Sequence, residues 1–74
     1  MNEEKKNIVL KLGANIRMRR IEKNYSMEKL ANECEMEYSQ IRRIEKGIIN
    51  TTVFQIYRIS KTLQIPMVEI FYDM

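Results

Sequence analysis

Apolar residues recur along this chain at spacings of three and four, with polar or glycine-bearing breaks between the runs. That is the period of helices, not of strands. Ile8, Leu12 and Ile16 repeat every fourth residue, Val9 broadens the stripe, and together they predict a first helix from about Glu4 to Lys23. Asn24 tolerates a left-handed backbone and suits its end. Ser26 suits the cap of a second helix running to about Cys34, with Leu30, Ala31 and Cys34 inward. Ala31 is small where two helices must cross closely. Glu35 and Met36 form a turn. A third helix starts near Glu37, whose charge suits the helix dipole, and turns Ile41 and Ile44 inward before Gly47 closes it. Asn50, Thr51 and Thr52 offer a cap for a fourth helix with Val53, Ile56, Ile59 and Leu63 inward. Pro66 fits the first turn of a short fifth helix carrying Met67, Ile70 and Phe71, and the tail from Tyr72 to Met74 is expected to be loose. The expectation is an all-α chain: one domain over residues 1–74, a compact bundle of five short helices.

Composition narrows the function. The core that a 74-residue chain can build is marginal, and folds of this size often gain stability by oligomerising. No apolar stretch approaches the ~18 residues of a membrane span, and the opening MNEEKK is charged with no apolar segment behind it. A cytoplasmic protein without membrane contact is expected. Cys34 is the only cysteine and there is no histidine, which excludes an internal disulfide and argues against zinc. The missing histidine removes the usual general base, and Gly13 and Gly47 are the only glycines, too few for a phosphate-cradling loop. An enzyme is the least expected class, and no metal, cofactor or small-molecule ligand is anticipated.

Charge is uneven. The net +3 resolves into +4 over residues 1–24, −3 over 25–37, +4 over 38–61 and −2 over 62–74. Basic segments flank an acidic one, which supports a nucleic-acid partner only weakly by itself. The chemistry lies in Ser26 to Gly47, two short amphipathic helices joined by a tight connection, which reads as a helix-turn-helix over about residues 26–46. Tyr38, Ser39, Gln40, Arg42 and Arg43 fall on the side of the second helix away from its apolar residues. Arginine can bind guanine through two hydrogen bonds and glutamine can do the same with adenine. The bland alternative is an ordinary solvated face.

These residues resemble the XRE-type, lambdoid phage repressor-like DNA-binding family. The matching elements are Leu12-Gly13-x-x-Ile16-Arg17-x-x-Arg20, Ser26-x-x-x-Leu30-Ala31, Ile41-x-x-Ile44-Glu45-x-Gly47, Asn50-x-Thr52 and Leu63-x-Ile65-x-x-x-Glu69-Ile70-Phe71. The short length also looks similar to controller proteins of restriction–modification systems. The resemblance implies duplex DNA as partner, with Tyr38, Ser39 and Arg43 facing base edges and Gln40 and Arg42 at the margin. It implies phosphate contacts at Arg17, Ser26, Lys46, Asn50 and Thr52, and an ion pair of Arg20 with Glu45 that ties the first helix to the end of the third. The sequence departs from the family where Met27 replaces a common Gln, Glu35 replaces the turn glycine, Ile48 takes a position often basic, and Glu37 brings a carboxylate near the DNA. These bear on phosphate anchoring, not on the fold.

The structural readings sit beside these. Asn50 and Thr52 are helix caps first; Arg20 with Glu45 is structural before it is functional; Cys34 is a small core residue. Phe54, Tyr57, Met67, Ile70 and Phe71, within helices over about 52–71, are expected to form a homodimer interface, because a patch so apolar on so small a chain asks for a partner. The functional expectation is a homodimeric, sequence-specific transcriptional regulator, a repressor or autoregulator, on a palindromic operator. The alternative is a protein–protein module of the same fold that has lost DNA binding, favoured by Met27, Ile48 and the acidic second helix.

Overall fold

The computed structural model describes residues 2–74 and contains, among them, five helices and no strand. They are α1 (Glu3–Glu22), α2 (Met27–Cys34), α3 (Tyr38–Glu45), α4 (Val53–Leu63) and α5 (Met67–Ile70). Three of them start on a side-chain cap. Asn2 Oδ1 accepts from Lys5 N, Ser26 Oγ from Lys29 N and Thr52 Oγ1 from Gln55 N. Each bond satisfies one of the amides that a helix start leaves unpaired. Pro66 stands at the cap of α5, one place before the first turn where the sequence placed it.

The ends follow one pattern. Asn24, Glu35, Gln64 and Gly47 all take positive φ, between 56° and 70°. In each case the next amide reaches back into the helix: Tyr25 N to Arg20 O, Met36 N to Ala31 O, Ile65 N to Ser60 O and Ile48 N to Arg43 O. Only one of the four is a glycine. Glu35 therefore carries backbone strain that a glycine would avoid, and Arg58 of α4 meets its carboxylate at 3.0 Å.

α2 packs on α3 and α4, α1 on α3 and α5, and α4 on α5. Ile16, Leu30, Ile41, Ile44, Ile59, Leu63 and Ile70 are buried to 1% exposure or less at their meeting point. Each such side chain contributes roughly 1.5–3 kcal/mol of transfer free energy. Ile70, expected at a dimer interface, is thus a core residue with no surface to offer. Two inward assignments also fail: Ile8 is 50% exposed and Val53 72%. Met67 is half-buried against the core.

The tail is held. Asn15, buried on α1, donates from Nδ2 to Ile70 O and Tyr72 O, both at 2.9 Å, and Lys11 pairs with Asp73 at 3.2 Å. These bonds tie the chain beyond α5 to α1, against the expectation of a loose end. Cys34 is a core residue as expected. Its Sγ lies 3.3 Å from Thr62 Oγ1, and burial pushes its thiol pKa up.

Candidate nucleic-acid interface

α2 and α3 are set at their angle by a three-residue connection, Glu35 to Glu37, whose first residue reverses the chain through its left-handed conformation. Below them, Arg20 fixes the far end of α3. Its Nε and Nη2 donate to the two carboxylate oxygens of Glu45 at 2.6 and 3.1 Å, and Nη1 donates to Tyr25 O at 2.7 Å. The two side chains are 10% and 3% exposed. The pair ties α1, the α1–α2 turn and the end of α3 into one rigid unit, as the resemblance implied.

With Ile41, Ile44 and Glu45 buried, α3 presents its opposite side to solvent. Successive helical residues are roughly 100° apart, so Ser39 and Arg43 share the centre of that side. Tyr38 and Arg42 are one turn apart on one flank, and Gln40 is half-buried at the edge of the core face. Tyr38 is 48% exposed. The ion pairs of the described residues engage Lys11, Arg19, Arg20 and Arg58, leaving Arg17, Arg42, Arg43 and Lys46 without a carboxylate. A helix two turns long with an unpaired, cation-bearing outer face has the dimensions of a major-groove probe.

The residues expected at phosphate separate into two groups. Arg17 and Lys46 come together around one cavity of about 350 Å³, which Arg20, Met27, Arg42 and Glu45 also line. Ser26 adjoins it through Met27, though its own hydroxyl is engaged as the α2 cap. Asn50 and Thr52 are exposed ahead of α4, outside that cavity, with Thr52 serving as a cap. Asn15 and the shared cavity of Arg17 with Arg42 were missed at the level of sequence. An Asn beside the inward stripe of α1 was the only signal for the first. Phe54 and Tyr57 form an exposed ridge on α4, their ring centroids 6.4 Å apart, and Phe71 is exposed beyond α5.

This fold and this face define a class, and comparison with known proteins agrees. The helix-turn-helix family model HTH_3 matches residues 16–70, most of the chain. The chain belongs to that XRE-type family: it is a DNA-binding transcription regulator and not an enzyme. The control protein C.BamHI of Bacillus amyloliquefaciens is 43% identical over 58 residues, 77% of this chain and 72% of that protein. Among solved structures, the restriction-modification controller protein C.AhdI from Aeromonas hydrophila superposes with a TM-score of 0.83 at 28% identity, over 85% of this chain and 96% of that one. The hypothetical transcription factor NHTF from Neisseria also gives 0.83, covering 90% of this chain and 77% of that one. At 21% identity, that likeness concerns the fold alone. Among the described residues, no helix is long and apolar enough to cross a membrane, and no group of His, Cys, Asp and Glu is placed to hold a metal.

Proposed function

We propose that this protein is a controller of the restriction–modification type, which binds a palindromic operator as a homodimer and reads it with α3 in the major groove. The observation that carries this reading is the outer face of α3. Ser39 and Arg43 stand at its centre, unpaired, on a helix locked from behind by Arg20 and Glu45. Arg43 is the residue suited to a bidentate guanine contact, Ser39 to a base or phosphate oxygen, and Tyr38 to packing on a thymine methyl. The likeness to two controller proteins supports the regulatory role.

Arg43→Ala is expected to weaken binding by about 1–3 kcal/mol and to relax preference at one base pair of each half-site. Selection of bound duplexes from a randomised pool, with wild type and variant side by side, reads both effects. Unchanged preference removes Arg43 from the reading set.

The dimer rests on the ridge of Phe54 and Tyr57, 62% and 45% exposed, and on Phe71 at 42%. Two protomers related by a two-fold axis place their recognition helices about 34–36 Å apart, one turn of DNA. Phe54→Asp is expected to weaken association by about 2 kcal/mol or more, roughly thirtyfold. Light scattering over a dilution series then gives a mass moving toward that of one chain. A mass equal to the wild type's at every concentration moves the interface away from α4.

A further inference from the structure

Position 27, the first residue of α2, carries a methionine, which can neither donate a hydrogen bond to a phosphate nor pair with its charge. Yet Met27 lines the same cavity as Arg17, Arg42 and Lys46, a space of about 350 Å³ where α1, α2 and α3 meet. The fourth cation there, Arg20, is spent on Glu45 and Tyr25 O, and Glu45 is spent on Arg20. Three free cations therefore surround the cavity with no carboxylate to neutralise them. All three are exposed, so water and counterions screen them, and a bound phosphate would displace those counterions with a gain in affinity.

We infer that Arg42, Arg17 and Lys46 form a single three-cation clamp for one phosphodiester of the DNA backbone, and that Arg42 is a phosphate-anchoring residue and not a base reader. This rests on the DNA-binding reading above and changes the assignment of one side chain within it. Helix geometry supports the division. Arg42 stands roughly 100° around α3 from Arg43, on the flank turned toward α1 and α2. Arg43 does not line the cavity. Lys46 follows Arg42 by four residues and so sits beside it one turn on. Arg17 reaches the cavity from α1, so the phosphate is held from two helices at once and fixes the angle at which α3 enters the groove. The clamp supplies the anchoring that Met27 withdraws.

The test is a salt series on the duplex selected by the wild type and on a scrambled duplex, with Arg42→Ala, Arg42→Lys and Arg17→Ala. Arg42 and Arg17 are exposed, so their removal leaves the core intact. The clamp predicts that Arg42→Ala loses about tenfold in affinity on both duplexes alike. It also predicts that the slope of log affinity against log salt falls by about one while base preference stays as in the wild type. Arg17→Ala gives the same signature. Arg42→Lys restores the slope and most of the affinity, because the ammonium keeps the charge that a phosphate contact needs. Relaxed preference at one base pair, unrescued by Arg42→Lys, makes Arg42 a base reader and overturns the inference while the DNA reading stands. An unchanged slope with Arg42→Ala overturns it too. A second arm follows the Nε–H resonances of Arg17, Arg42 and Arg43 during titration with inorganic phosphate. If Arg17 and Arg42 shift saturably and no duplex binds at any salt, the ligand is a free phosphoryl ion, and both the clamp for DNA and the DNA reading fall.

Discussion

Glu45→Ala is expected to destabilise the fold by about 3–5 kcal/mol. The carboxylate is 3% exposed and receives two hydrogen bonds from a guanidinium that is itself 10% exposed. Removing it leaves Arg20 charged, largely out of water and bonded only to Tyr25 O. A domain of this length holds roughly 4–11 kcal/mol in all, at about 0.05–0.15 kcal/mol per residue, so the variant stands near the edge of folding. The urea midpoint followed by far-UV circular dichroism measures the change. Lys46→Ala, one residue on and exposed, serves as the contrast and is expected to stay within about 0.5 kcal/mol of wild type. A loss below about 1 kcal/mol at Glu45 would class the bridge with exposed ion pairs, which stabilise little.

The second large effect is expected at Gly13, where helix propensity and packing predict opposite signs. Gly13→Ala in an unobstructed helix stabilises by about 1 kcal/mol, since alanine is the better helix former. Here α1 lies directly on the last turn of α3. A Cβ at Gly13 would meet the Ile44 carbonyl oxygen and come within 2.7 Å of the Glu45 carbonyl oxygen. Both are backbone atoms of a helix held in place by its own hydrogen bonds, and neither can swing aside. The variant is therefore expected to lose about 2–3 kcal/mol, at the upper end of overpacking. Any relief that pushes α3 away from α1 also separates Glu45 from Arg20 and tilts the DNA-reading face. Thermal unfolding and duplex affinity should fall together. A more stable variant would mean that α1 and α3 are not in this close contact.

How much of this was legible in the residues depended on whether one face of a helix dominated. α2 and α3 are apolar mainly on one side, and α4 keeps a buried stripe of helical period beside its exposed Val53, Phe54 and Tyr57, so spacing points Leu30, Ile41, Ile44, Ile56, Ile59 and Leu63 inward. α1 is apolar on both sides: Val9, Leu12 and Ile16 are buried, while Ile8, Leu10, Met18 and Ile21 are 43–51% exposed. Periodicity there cannot choose a face, and it points Ile8 inward although Ile8 lies outside. Val53 was misplaced for a different reason, standing at the first turn of α4 before the helix reaches the core. Ile70 reads as a surface residue because a four-residue helix has no period to locate it. The fold instead seals the core with it. The grip of Asn15 on the tail is a contact across 55–57 residues, beyond the reach of any local pattern.

The site divides along the same line. That Tyr38, Ser39, Arg42 and Arg43 face away from the core follows from position on α3 alone. Which of them share surroundings does not, because Arg17 and Met27 arrive from other helices. The family resemblance supplied the pairing of Arg20 with Glu45, which spacing by itself would not have joined. Glu35 shows the two sources together: the resemblance marked it as standing in for a turn glycine, and the fold gives it the left-handed backbone that glycine would have filled.

Sequence-specific recognition by α3 is tested by enriching duplexes from a fully randomised pool with the purified protein, followed by a salt series on the enriched sequence and on its scramble. An inverted repeat with half-site centres about one helical turn apart is the expected result, with affinity for that sequence at least 10³-fold above the scramble and falling steeply as salt rises. A pool that emerges unenriched, with the two duplexes bound equally or not at all at low salt, would contradict sequence-specific recognition and leave the fold serving contacts between proteins.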